Sequence, residues 1–222
     1  DLRGVQEAAS GSLRVLVPHA FGQEKLVAPL AQFLRRHPLV TVEWLLQDDV
    51  RDFIAAGIDC AIQVGEPSDP AVVAIKLSEV PRIVAAAPAV LQGGAVPTDA
   101  AELAALPWLA LQTYYRNELL LTHGPSGQTQ RLAIRPRVST DSLYALRSAA
   151  LLGLGACVAS AWLLQEDLAA GRLLHLAPQW QAAPLPVYLV YPHARFYPSR
   201  LLRFVEMMRD AVPAAIAGSQ RV

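Results

Sequence analysis

No stretch of eighteen or more uninterrupted apolar residues occurs in this chain of 222 residues, so it contains no candidate transmembrane helix. Its first residues, DLRGVQEAASGSLRV, lack the basic and apolar segments of a secretion signal, and the expected compartment is the cytoplasm. An excess of one charge is also missing. Nineteen Lys and Arg balance nineteen Asp and Glu, and the basic residues are scattered instead of gathered in a run, so no nucleic-acid surface is expected within the chain. Cysteine is scarce: Cys60 and Cys157 lie far apart, each inside an apolar run, which fits buried reduced thiols better than a disulfide or a metal site.

Signatures of catalysis are lacking too. The five histidines, His19, His37, His123, His175 and His193, form no pair at metal-ligand helical spacing, and no Gly-x-Ser-x-Gly elbow is present. The run Gly124-Pro125-Ser126-Gly127-Gln128-Thr129 has a passing likeness to a phosphate loop. However, no lysine precedes its hydroxyl residue and no apolar strand leads directly into it. Gly153-Leu154-Gly155 imitates the start of a dinucleotide fingerprint, yet it follows a predicted helix and reads as a helix-ending turn. Asp48, Asp49 and Asp52 cluster at a predicted helix start, where they stabilise the dipole. Neither an enzyme activity nor a cofactor is expected.

What the chain does have is apolar material, 53% of residues against 17% charged, enough for one sizeable core or two smaller ones. Leu13–Val17 reads as a short buried strand that stops at Pro18. Apolar residues recur at helical spacing from Gly22 to Arg36, and His37-Pro38 ends that helix. Thr41–Leu46 is a second predicted strand, a helix capped by Asp48 or Asp49 runs to Ala56 with Gly57 as its turn, and residues 59–64 are a third strand. This β-α-β-α-β order predicts a mainly parallel sheet covered by helices, with ligands beyond the carboxyl ends of the strands. Beyond Pro88 a second unit begins. It has predicted strands at Trp108–Gln112, Leu132–Val138, Ala156–Ser160 and Val187–Tyr191, a helix from Thr140-Asp141-Ser142 to about Leu152, another ending near Gly171, and an amphipathic closing helix over 198–212.

The order of these pieces resembles the effector-binding domain of LysR-type transcription regulators over about residues 11–213. The matching segments are Gly11-Ser12-Leu13-Arg14-Val15, Phe21-Gly22, Phe33-Leu34-Arg35-Arg36-His37-Pro38, Gly57-Ile58-Asp59-Cys60-Ala61-Ile62 with Gly65, Thr140-Asp141 through Gly153-Leu154-Gly155, and Ser199-Arg200-Leu201-Leu202-Arg203-Phe204. The Pro18–Gly22 opening is closest to the group in which a proline follows the first strand. The resemblance implies an α/β fold of periplasmic-binding-protein type 2 architecture, with two Rossmann-like subdomains joined by two crossing strands and an effector cleft between them. It places subdomain I at 12–87 plus 189–213 and subdomain II at 88–188, the end of a linker helix at 1–11 and a C-terminal tail at 214–222. The winged helix-turn-helix that the family carries ahead of this domain is not in the chain, so promoter DNA is expected as a partner only through that separate part.

Two helix starts following strands offer unpaired N–H groups and a positive dipole end to an anion. One is His19-Ala20-Phe21-Gly22, where His19 supplies a proton-dependent charge and Phe21 an apolar wall. The other is Thr140-Asp141-Ser142, whose hydroxyls can donate to a ligand, although Thr140 or Asp141 equally suits an ordinary cap. Gln63 stands where many family members carry arginine or another polar residue, and it cannot neutralise a carboxylate; His19, Arg82 and Arg116 are the charges available to compensate. Gln112-Thr113-Tyr114-Tyr115 lands where the family lines its cleft, and its tyrosines suit an aromatic or partly apolar effector or are simply surface or core residues. The family's side-by-side dimers imply a homodimer or tetramer through residues 24–36 and 41–46 against a partner's 142–154. The alternative function is a free-standing solute-binding protein of a transport system with the same architecture.

Overall fold

The computed structural model describes residues 8–49 and 55–217. In chain order the elements are β1 (Ser10–Val17), a π-helical turn (Phe21–Lys25), α1 (Val27–Arg36), β2 (Leu39–Leu46), β3 (Cys60–Val64), β4 (Val72–Ala86), a 3₁₀ turn (Pro88–Leu91) and α2 (Ala100–Leu103). They continue with β5 (Trp108–Leu111), β6 (Glu118–His123), β7 (Thr129–Ala133), β8 (Pro136–Thr140), α3 (Leu143–Leu151), β9 (Cys157–Ser160), α4 (Ala161–Ala169), β10 (Leu174–His175), β11 (Trp180–Pro192) and α5 (Ser199–Ala217). One compact unit takes the described residues up to Glu79 and those from Pro186 onward, and the other is Val80–Leu185. The two long strands β4 and β11 carry the chain from one unit to the other.

In the first unit β1 is central. It pairs in parallel with β2, from Ser10 opposite Leu39 to Val17 opposite Leu46, and with β3 at Val15 opposite Cys60; β3 in turn pairs antiparallel with the far half of β11. A parallel sheet is covered on both faces, so its central strand is an apolar run, and Leu13, Val15, Leu16 and Val17 are all buried. The helix expected over 22–36 is divided at Leu26 into the π-turn and α1. Its Phe33 packs edge-on against Phe204 of α5, with ring centroids 5.4 Å apart. α5 buries Leu201, Phe204, Val205, Met208, Val212 and Ile216, a helical stripe that carries the element past Pro213 instead of ending at 212. Ser10 and Gly11 belong to β1 and not to a helix, and residues 1–7 lie outside the described residues. The helix predicted from Asp48 or Asp49 to Ala56 also falls largely outside them. Gly57 does take the left-handed conformation of a turn, with φ 66°.

The second unit has the order β8-β5-β9-β4-β10. β5 and β8 run parallel, a parallel bridge from Trp108 to Ala156 joins β5 to the start of β9, and β4 is antiparallel to both β9 and β10. The expected strand Leu132–Val138 is two strands. β7 forms a hairpin with β6, and β8 starts afresh at Pro136, whose missing N–H suits a strand's first residue. Gly124–Gln128 is the turn of the β6–β7 hairpin and Thr129 is already paired in β7, so this run is not a phosphate loop. Gly155 is hemmed in by backbone, since a Cβ there would lie 2.9 Å from the Pro107 carbonyl oxygen. Cys60 and Cys157 are free and buried, and desolvation pushes the Cys157 thiol up to about 12.

Candidate functional site

Parallel strands end together. In the second unit β8 ends at Thr140, β5 at Leu111 and β9 at Ser160, so one edge of the sheet collects the residues that follow them. Antiparallel β4 contributes Arg82 to the same edge, because Arg82 stands opposite Ser160 in the ladder. Gln112 is tied in by its N–H, which donates to the Thr140 carbonyl at 2.9 Å. From Thr140 to Arg82 the edge covers three strand spacings, about 14 Å. Gln112, Thr113, Tyr114 and Asp141 are exposed along it, while Thr140 and Ser142 are half-buried.

Ser142, and neither Thr140 nor Asp141, caps α3: its Oγ accepts from the Ala145 N–H at 3.2 Å. Thr140 is the last residue of β8, with its Oγ1 accepting from the Ser142 N–H at 3.1 Å. That bond uses a lone pair and leaves the hydroxyl proton able to donate. The two tyrosines separate. Tyr115 is core: its hydroxyl donates to the Leu109 carbonyl and accepts from the Val158 N–H, both at 2.9 Å, and burial raises its pKa. Tyr114 stays at the surface, with the Arg82 guanidinium 5.7 Å from its ring centroid.

In the first unit, His19 and Gln63 follow or end parallel strands. His19 is exposed, and its N–H donates to Asp48 Oδ1 at 3.0 Å. Gln63 is half-buried and reaches the Glu66 carbonyl at 3.4 Å. Phe21 is only 3% exposed and belongs to the core, and Gly22 is buried where a Cβ would overlap the Leu46 side chain. The Gly22 carbonyl accepts the Trp44 indole N–H at 2.8 Å, so this glycine serves the packing of the strand-to-helix turn. An open groove of about 850 Å³ also lies in this unit, lined among others by Lys25, Phe33, Arg36, Arg203, Glu206 and Asp210. Its margin includes Ala8, Ala9 and Leu39, at the amino ends of β1 and β2 and thus at the opposite end of these strands from His19. Among the described residues no group of three or more His, Cys, Asp or Glu is arranged to hold a metal ion.

A family model described as LysR substrate binding domain matches residues 6–213. The chain belongs to the LysR substrate-binding domain family. It is 30% identical over 210 residues to the HTH-type transcriptional regulator PtxR of Pseudomonas aeruginosa, covering 95% of this chain and 67% of that protein. It is 28% identical over 201 residues to the HTH-type transcriptional activator AaeR of Escherichia coli, covering 90% and 64%. The full-length structure of the Vibrio cholerae virulence activator AphB, a member of the LTTR family, superposes with a TM-score of 0.77 at 26% identity, covering 90% and 68%. The chain therefore spans about two thirds of the length of these proteins. As a LysR effector-binding domain it has the periplasmic-binding-protein type 2 fold, and its relatives are regulators of transcription and not transport proteins. Among the described residues no helix is long and apolar enough to cross a membrane.

Sequence reasoning gave Arg82 only as a compensating charge. Its role in the edge depends on β4 lying antiparallel to β9, a long-range pairing that no local pattern announces.

Proposed function

We propose that this LysR domain senses a small effector at the carboxyl edge of the second unit's sheet, as the regulatory part of a cytoplasmic transcription regulator. The reading is carried by the gathering of Gln112, Thr113, Tyr114, Thr140, Asp141 and Ser142 at that one edge in a chain of this family. His19 and Gln63 are proposed as further effector contacts, with Phe21 and Gly22 shaping the turn that presents His19. The effector has an aromatic or partly apolar body, to match the Tyr114 ring. Binding biases the protein between poses it already has, which requires unequal affinity for them. DNA is contacted by a helix-turn-helix region outside these 222 residues, and the domain itself catalyses no reaction.

Thermal unfolding against a panel of small carboxylates, aromatic acids and amino acids tests the reading. A ligand at about 100 times its dissociation constant adds about 2.7 kcal/mol, or about 5–11 °C at this size. Thr140→Ala is expected to abolish the shift, and Gln63→Ala to reduce it. A shift that survives Thr140→Ala removes the assigned site.

The same domain associates with a second copy through residues 24–36 and 41–46 against 142–154. Val27, Leu152 and Leu154, at 43%, 81% and 42% exposure, are apolar side chains in these segments that such a dimer would cover. Sedimentation of the Leu152→Asp variant is expected to show a monomer where the parent forms a dimer; a parent that stays monomeric at high concentration refutes the assignment.

A further inference from the structure

Five arginines of the described chain are half-buried, and four have anionic or multiple carbonyl partners. Arg14 binds Glu43, Arg147 binds Asp167, Arg203 binds Glu206, and Arg200 bridges the Ser12 and Ser10 carbonyls. The fifth is Arg82. Its Nε donates to the Ala183 carbonyl at 2.9 Å, and its Cζ stands 5.7 Å from the centre of the Tyr114 ring. No carboxylate pairs with it among the described residues, and its two terminal nitrogens have no hydrogen-bond partner there. Burial works against the charged form, lowering its pKa from the ordinary value, and the nearby phenols only partly oppose that effect. A partly desolvated charge held at its base and left open at its fork is costly unless something answers it.

The position of the fork says what would answer it. Arg82 lies opposite Ser160 at the sheet edge to which β5 and β8 bring Gln112, Tyr114 and Thr140. The Ala183 bond and the Tyr114 face fix the guanidinium at one end, and its terminal N–H groups match the two oxygens of a carboxylate in spacing and direction. Resting on the effector-binding reading above, we infer that Arg82 is the anion-anchoring residue of this site and that the effector is a small carboxylate whose aromatic or apolar body meets the ring of Tyr114. A purely structural Arg82, serving only to cover Tyr114, would be indifferent to the charge of anything bound there.

Charge-matched pairs separate these cases. The whole chain is titrated calorimetrically with aromatic and aliphatic carboxylates of four to nine carbons and with the primary amide of each, which keeps shape and removes charge. At least one acid is expected to bind ten or more times tighter than its amide. Arg82→Gln is expected to weaken that acid by about 10- to 100-fold and to bring acid and amide to similar affinity. Arg82→Lys keeps the charge without the fork and should fall between. Arg131→Gln, which removes an exposed arginine paired with Glu118 on the β6–β7 hairpin, should change affinity by less than about twofold. Unliganded unfolding midpoints of each variant establish that it is folded. The inference is overturned if folded Arg82→Gln retains acid affinity, or if amides bind the parent as well as acids do. Should a neutral compound bind in a Thr140-dependent, Arg82-independent way, the effector site stands and the anion anchor falls. If neither acids nor amides bind, the effector-binding reading falls with it.

Discussion

Asp167 is the most deeply committed charge in the second unit, and removing it should be the most damaging single polar change there. Its side chain is fully buried in α4. Oδ2 and Oδ1 accept from Nε and a terminal nitrogen of Arg147 on α3 at 2.7 and 3.0 Å, and Oδ1 also accepts from Arg172 Nε at 3.0 Å. Burial raises the Asp167 pKa, but the two arginines outweigh it and hold the carboxyl below its ordinary value of 3.8. Asp167→Asn keeps the shape, removes the charge and turns an amide NH₂ toward a guanidinium. Breaking a fully buried pair costs about 3–5 kcal/mol. Here the Arg147 and Arg172 side chains are 30% and 54% exposed and can rehydrate, so about 2–3 kcal/mol is the better figure. For a chain of this size that lowers the unfolding midpoint by about 4–12 °C. Because the chain has two units, urea unfolding should be followed by probes in each, with the change confined to the second. Since the folded pKa is depressed, this contribution is present above pH 3.8 and lost as pH falls through the lower folded value. A loss under about 1 kcal/mol at neutral pH would refute the reasoning, because that is what a solvated surface pair supplies.

Tyr115→Phe should cost about 1–3 kcal/mol in equilibrium unfolding, because it orphans both the Val158 N–H and the Leu109 carbonyl in the core. Gly155→Ala should cost about as much, as its new methyl meets backbone at Pro107 that cannot swing aside. His175 has a buried Nε2 with no partner among the described residues, and desolvation lowers its pKa from 6.5. The unfolded chain therefore takes up a proton that the folded chain refuses. Stability should fall as pH drops from 6.5 toward the lower folded value, with no contribution from this group above 6.5, and His175→Phe should flatten that slope.

Helical spacing and strand runs were legible wherever burial has a local period. The α5 stripe and the β1 run that stops at Pro18 both read directly from the residues. Features set by partners distant in sequence were not legible. β4 runs through Val72–Ala86 with Pro81 inside it, and no alternation marks it because its two halves serve different units. Tyr114 and Tyr115 are identical in type and adjacent, yet one is exposed and the other core, since the turn after β5 points them apart. The cap at Ser142, two places beyond the first candidate, follows from β8 keeping Thr140 in its ladder with Leu111. A local reading sees three capping residues in a row, and only the strand pairing chooses among them.

That choice bears on how binding could be transmitted. α3 starts at the proposed effector edge, holds Asp167 through Arg147 in its middle, and ends beside Leu152, whose exposed side chain lies in the proposed dimer contact. Its nine residues span about 13 Å and move as one rod, so a displacement at Thr140–Ser142 reaches Leu152 undiminished if the helix is held as a unit. The Arg147–Asp167 clamp is what sets its two ends against a common support on α4. In the parent, an effector should change the dimer dissociation constant by a factor in the range of about 5–150 usual for coupled sites. In Asp167→Asn, studied below its midpoint, effector affinity should be retained while that factor shrinks toward one, as read by sedimentation with and without ligand. If the factor is unchanged, the Arg147–Asp167 pair is not what couples the two sites, and the buried Leu146 and Ala150 are enough to hold the middle of α3.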